Sequence, residues 1–306
     1  MSNTCTITTA NTAESRCKLE LGAIRRNVVT PVSAIFTGLD SLGAAQTLDE
    51  WILEGIHAAS AEDRFYPMPL TTGIEDKSTD PKMWEDGLGR QHQLMEGVFG
   101  IQQKFERDHC LTKRIVEFNN QEFRVLKFDG AGNVEVIENG DGDYIGEKVK
   151  VFVSHPKAST FSELGEPMAS FIAVDPNEHN SRVVTKTDLN FSQDLLGLED
   201  VTMHVSLVSS NYIITFTENC SGKDVTADLA AASAVDACWK IDKAGVIADV
   251  VASPTYVAAS KHFTAVAATV YAEGTKLKLA DPSVLYANGI SGKEQADWVT
   301  LTNPGS

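Results

Sequence analysis

The chain has 306 residues, enough for two domains at about 150 residues each, and its 42% hydrophobic and 22% charged content is that of a globular protein. Its 42 acidic side chains outnumber 26 basic ones, for a formal net charge of −16. Such a surface repels phosphate and anionic lipid and argues against a nucleic-acid reader, because phosphate binding needs Lys and Arg to displace counterions.

The first residues, Met-Ser-Asn-Thr-Cys-Thr, lack the basic-then-apolar layout of a signal peptide, and no window is apolar enough to span a bilayer. The expectation is a soluble chain made in the cytoplasm. The five cysteines, Cys5, Cys17, Cys110, Cys220 and Cys238, are odd in number and form no CxxC pair, so they read as free thiols. A Cys220–Cys238 bridge is the alternative in an oxidising medium.

In chain order, Val28–Thr37 reads as an extended edge segment broken by Pro31. Thr47-Leu-Asp-Glu50 fits a capping box, followed by a helix with Leu48, Trp51, Ile52 and Ile56 on one stripe and Trp51 in the core. Thr71–Gly89 reads as a long polar loop holding Met83-Trp84, and Leu94–Phe105 as one strand with Phe99, Ile101, Gln103 and Phe105 on its more apolar face. A short helix is expected over Cys110–Phe118. A hairpin follows over Phe123–Phe128 and Val134–Ile137, turning through Asp129-Gly-Ala-Gly-Asn133, and then a strand over Lys148–Val153. Pro156–Asn180 reads as a surface excursion.

Arginine stops at Arg182, and Ala, Val and Thr dominate after about residue 200. This shift divides the chain into residues 1–199 and 200–306. The second part offers short strands at Val201–Val208, Tyr212–Thr217, Cys238–Ile241, Val246–Val251, Phe263–Tyr271 and Leu277–Leu279, with Trp239 as a core residue and a brief helix as an option for Asp228–Val235. The pattern fits an immunoglobulin-like β-sandwich. The fold class expected is mainly β, an α+β first domain followed by a sandwich.

Catalytic and cofactor signals are missing from the sequence. There is no G-x-S-x-G elbow, and Gly130-Ala-Gly132 lacks the third glycine of a dinucleotide fingerprint. Gly222-Lys223 and Gly292-Lys293 lack the first glycine of a P-loop. Asn139-Gly-Asp-Gly-Asp143 imitates a calcium loop, but the twelfth position counted from Asp141 is Phe152 rather than glutamate, so it reads as a solvated turn. The seven histidines are scattered and read as core or solvated residues. The expectation is no enzyme, no cofactor and no metal.

The run Asp63-Arg-Phe-Tyr-Pro-Met-Pro-Leu70, with Gly73-Ile-Glu-Asp76, Asp86-Gly87, Glu96-Gly97-Val98 and the stretch Phe123–Val136, resembles structural proteins of tailed bacteriophages and prophages of Bacteroidetes-type hosts. The likeness covers roughly the first half of the chain, as spaced residues rather than one diagnostic motif. The order of elements resembles tail-tube (major tail) proteins. That resemblance implies a β-sandwich or barrel with a flanking helix, a long loop reaching the next subunit, and an outer immunoglobulin-like domain. It also implies self-assembly into hexameric rings stacked around a DNA channel, contacts with other virion proteins, and residence in the virion after assembly in the host bacterial cytoplasm. DNA would be cargo that slides past an acidic lumen, and no membrane would be involved. On this reading Met83, Trp84, Leu94, Val98 and Phe99 are the self-assembly residues, with Trp84 as anchor. A head decoration protein and a surface adhesin that binds carbohydrate are the alternative readings.

Overall fold

The computed structural model describes residues 5–6, 21–88, 90–105, 109–154, 165–233, 235–266, 271 and 274–302. The chain is mainly β, with several sheets, one of them a half-barrel. It divides into two compact units, Met1–Ile56 with Ser60–Leu196, and His57–Ala59 with Gly197–Ser306.

The first unit contains strands β1 (Cys5–Thr6), β2 (Ile24–Thr30), β3 (Tyr66–Pro67), β4 (Thr71–Asp76), β5 (Lys82–Glu85), β6 (Gln91–Met95) and β7 (Gly100–Phe105). It continues with β8 (Gln121–Asp129), β9 (Asn133–Glu138), β10 (Tyr144–Ile145), β11 (Glu147–Ser154), β12 (Met168–Ala173) and β13 (Arg182–Lys186). Helices α1 (Leu48–Ile56) and α2 (His109–Val116) complete it. Eleven strands form one sheet in the order β1-β13-β9-β8-β11-β12-β7-β4, with β2 on β8, β3 on β2 and β10 on β9.

This sheet curls. From β2 to β7 is four strand steps, about 19 Å in a flat sheet at ~4.8 Å per step. Yet Asn27 on β2 donates to Gln103 on β7 at 3.1 Å. The concave face carries Val29, Val125, Val149, Val151, Ile101, Phe105, Ala169 and Phe171 as one buried core. The opposite face of β2 and β8, continued by β9 and β13, presents Val28, Leu126, Phe128, Val134, Val136 and Val183, covered by Ile52 and Ile56 of α1. Both faces of β8 are therefore buried, which explains its run of apolar residues.

The capping box forms: Thr47 N–H donates to Glu50 Oε2 at 2.8 Å, and Glu50 N–H to Thr47 Oγ1 at 3.2 Å. Trp51 is only half-buried, packed edge-on against Phe65. The Asp129–Asn133 turn also forms, with Asp129 Oδ1 accepting from the amides of Ala131 at 2.7 Å and Asn133 at 2.9 Å, and Gly132 at φ +76°.

Four expectations need correction. The extended segment Val28–Thr37 ends at Thr30, and the strand begins earlier, at Ile24. Thr71–Gly89 is not a loop: β4 joins the sheet, and β5 pairs with β6. Leu94–Phe105 is two strands, because residues 96–99 leave one pairing for the next; Thr79 and Val98 form a bridge between them. Pro156–Asn180 is no excursion throughout, since Met168–Ala173 lies between β11 and β7 with Ala169 and Phe171 buried; residues 156–164 lie outside the described residues.

The second unit contains β14 (Glu199–Val208), β15 (Asn211–Glu218), β16 (Trp239–Lys243), β17 (Val246–Asp249) and β18 (Thr255–Val257). β19 (His262–Val266), β20 (Lys276–Leu279), helix α3 (Pro282–Ala287), β21 (Lys293–Glu294) and β22 (Val299–Thr300) follow. The sheets β18-β19-β15-β14-β21 and β17-β16-β20-β22 contribute to a single core. Trp239 is its centre, wholly buried, with its indole N–H donating to the Ala232 carbonyl at 2.9 Å and its ring edge-on to Phe263. The Asp228–Val235 option is a 3-10 helix at Thr226–Ala232. The strand expected at Phe263–Tyr271 is described to Val266; residues 267–270 lie outside the described residues.

The five-thiol expectation is corrected at Cys220, which is disulfide-bonded. Its partner is not Cys238, a free thiol buried beside Trp239, whose burial raises its pKa. Cys17 and the side chains of Cys5 and Cys110 lie outside the described residues.

Candidate functional site

The hairpin β4–β7 does not end where the sheet does. Beyond Asp76 the ladder continues: Lys77 N–H donates to the Gly100 carbonyl at 2.8 Å, and Thr79 and Val98 exchange backbone bonds at 2.8 and 3.1 Å. At Gly97 the strands pass so close that an added Cβ would lie 2.6 Å from the Thr79 carbonyl oxygen. The pair then runs on as the ribbon β5–β6, in register Met83↔Gln93, Trp84↔His92 and Glu85↔Gln91.

Asp86 closes the ribbon's tip. Its N–H donates to the Arg90 carbonyl at 2.8 Å, and its Oδ1 accepts from the amides of Leu88 and Arg90, each at 2.9 Å. The Arg90 amide first, then the other donors around it, hold the Asp86 carboxyl below its ordinary pKa. Every residue of β5 is exposed; Met83 and Trp84 are each 52% accessible. The Trp84 ring lies 5.6 Å from His92, tilted by 34°. A two-stranded ribbon with neither face on a core is marginal by itself in water.

The five residues expected to mediate self-assembly separate here. Met83 and Trp84 sit together on the exposed ribbon. Leu94 belongs to the paired strand β6, and its side chain lies outside the described residues. Val98 is at the ribbon's root and half-buried. Phe99 turns to its own chain: its ring stacks on His179 at 4.1 Å, and the Lys127 ammonium stands 4.7 Å from its centroid.

Phe99 thereby marks a second feature that sequence reasoning missed, a buried charge cluster on the concave face. Lys127, 2% accessible, donates to Glu135 at 2.8 Å and to Glu147. Glu147 also bonds His179 Nδ1 at 2.7 Å, and Arg182 approaches Glu135 at 3.7 Å. Burial raises the Glu147 pKa, but the His179 hydrogen bond and the Lys127 charge outweigh it and leave the group below its ordinary value. Asn27 is the cross-strand neighbour of Lys127; Asn27 Oδ1 and Gln103 Nε2 have no hydrogen-bond partner among the described residues. Each carboxylate of the cluster faces a cation, an arrangement that fixes strand register and the position of Phe99 rather than activating a nucleophile. Lys127 and Glu135 are cross-strand partners eight residues apart, whereas Glu147, His179 and Arg182 join from later elements. The one available signal was Lys127 interrupting an apolar strand.

Asn139–Asp143 is the turn between β9 and β10, with Asn139 Oδ1 accepting from the amides of Asp141 and Asp143, both at 2.9 Å. Among the described residues, no group of three or more His, Cys, Asp or Glu side chains is placed to hold a metal, and no helix is long and apolar enough to cross a membrane. The chain matches no family model, no curated protein and no solved structure.

Proposed function

We propose that this chain is a self-assembling structural subunit, a tail-tube (major tail) protein of a phage virion, with β5–β6 as the arm that one copy lays on the next. The observation that carries this reading is the ribbon itself: an ordered extension of the main sheet, with Met83 and Trp84 exposed on a strand that no core covers. Exposed apolar side chains on a rigid support fit burial in a protein contact. The curved sheet, flanked by α1, suits a ring wall, in which neighbouring copies cover open sheet edges. A net charge of −16 suits a lumen that DNA traverses without adhering. The second unit, with two sheets contributing to one core, takes the part of an outward immunoglobulin-like domain.

Electron microscopy of the purified chain over a rising concentration series tests the proposal. Stacked rings with a central channel are expected. Monomers at every concentration, or monomers that bind only to preformed heads, would refute the tail-tube role.

A further inference from the structure

The curl of the main sheet brings β2 beside β7, yet no ladder joins them: β2 pairs with β3 and β8, and β7 with β12 and β4. Side chains bridge this seam instead. Asn27 Nδ2 donates to Gln103 Oε1 at 3.1 Å, and the Asn27 carbonyl accepts from the Met68 amide at 2.8 Å. Gln103 lies between Ile101 and Phe105 on the concave side of β7, and both side-chain amides belong to fully buried residues.

That single bond leaves each amide incomplete. Asn27 Oδ1, an acceptor, and Gln103 Nε2, a donor, have no partner among the described residues. Turning both amides end for end gives the same deficit, with the acceptor now on Gln103 and the donor on Asn27. The deficit therefore does not depend on which atom of each amide is nitrogen and which is oxygen. Buried amide groups are nearly always hydrogen-bonded in folded proteins, because leaving them without a partner forfeits their hydration. A donor and an acceptor side by side, in two side chains already bonded to each other, define a place for one molecule that bonds both.

Two neighbours add polar groups. Thr71 Oγ1 is buried and without a partner among the described residues, and Thr71 opposes Phe105 across β4–β7, diagonal to Gln103 on the same face. Lys127, opposite Asn27 on β8, gives protons to Glu135 and Glu147, and an ammonium has three to give. The charges in this part of the concave face are already matched, Lys127 and Arg182 against Glu135 and Glu147, so no surplus calls for an ion. The seam asks for a small neutral molecule that both donates and accepts. Water meets that description, and buried sites lined by polar groups take up water where apolar ones stay dry.

We infer that the β2–β7 seam binds a buried water molecule, which accepts from Gln103 Nε2 and donates to Asn27 Oδ1, with Thr71 and Lys127 as its further neighbours. The water completes the bridge between two strands that no backbone ladder connects. It is a structural part of the curl in the first unit, and it belongs there whether or not copies of the chain assemble.

Oxygen-17 relaxation dispersion of the solvent tests the site, because it reports whole water molecules held inside a protein and is blind to proton exchange. The double variant Asn27→Leu with Gln103→Met removes both partners while keeping similar volumes. With a melting curve showing that it folds, its dispersion amplitude should fall below that of the wild type by the share of a single long-lived water. An amplitude equal to the wild type's overturns the inference. A crystal structure of the wild-type chain gives a second reading that does not depend on the variant folding. A solvent peak about 2.7–3.2 Å from both side-chain amides supports the water. A map with no peak between them, or with the two amides turned onto protein partners, refutes it.

Discussion

The Lys127 ammonium donates to Glu147 on the concave face of the curved sheet, and Glu135 takes a second of its protons at 2.8 Å. Lys127 and both acids are almost fully buried. Removing the cation leaves Glu147 with only its His179 bond and Glu135 with only the Arg182 contact at 3.7 Å, and breaking a buried ion pair in this way costs up to about 3–5 kcal/mol. Lys127→Met should therefore lower the urea midpoint of the first unit sharply. Replacing the three together, as Lys127→Met with Glu135→Leu and Glu147→Met, should recover most of the loss, since burying apolar groups carries no such desolvation cost. A triple variant as unstable as the single one would show that packing, not charge, decides the site.

The same cluster sets a pH dependence. Glu147 has a folded-state pKa below its unfolded value: burial works against this, but the His179 bond and the Lys127 charge prevail. The unfolded chain therefore binds the proton more readily. The stabilisation is fully present above the unfolded carboxylate pKa of about 4.3, and it is lost as pH falls through the lower folded value. Melting temperature should be flat from pH 7 to about 5 with respect to this group and then fall. Glu147→Gln should start lower and show a shallower acid decline. An unchanged decline would place the acid sensitivity elsewhere, for example at Asp129, whose pKa is also held low as the Asn133 side chain and the amides of Asn133, Gly22 and Ala131 outweigh its burial.

Local signals in the sequence were legible where the chemistry is local. Thr47 and Glu50 are three residues apart and cap one helix end; Asp129 and Asn133 close one turn. The alternation of Ile101, Gln103 and Phe105 toward one face was readable for the same reason. The ribbon was not, because period-two patterning appears only when one face of a strand meets a core. Lys82–Glu85 meets none, so it resembled a loop while still holding Met83 and Trp84. The charge cluster was hidden differently. Lys127 and Glu147 come from the paired strands β8 and β11, and His179 from the 3-10 segment Glu178–Ser181, so no local pattern announces that they meet.

The second unit should depend on Trp239 above any other single residue. It is the largest fully buried side chain, in contact with the rings of Phe216 and Phe263. Trp239→Ala should cost about 3–5 kcal/mol through the cavity it leaves. Trp239→Phe should cost less, through lost volume and an Ala232 carbonyl deprived of its donor. Thermal unfolding followed by intrinsic fluorescence checks both. Equal losses for the two variants would mean that the indole hydrogen bond, not ring volume, dominates.

The ribbon's geometry depends on Gly97. A methyl group there would lie 2.6 Å from the Thr79 carbonyl oxygen and 3.1 Å from the Pro81 nitrogen, both backbone atoms that cannot rotate aside. Gly97→Ala must therefore open the Thr79–Val98 bridge while leaving the two cores intact. The melting temperature should scarcely move. Amide exchange at Thr79 and Val98 should speed up by about tenfold, corresponding to ~1.4 kcal/mol of local opening. Gly87→Ala is the control, since a Cβ there meets nothing within 4 Å, and exchange should stay unchanged. If the arm works as an extension of the main sheet, assembly should weaken in Gly97→Ala and not in Gly87→Ala. Accelerated exchange with undiminished assembly would show that the ribbon's rigid root is not needed for one copy to hold the next.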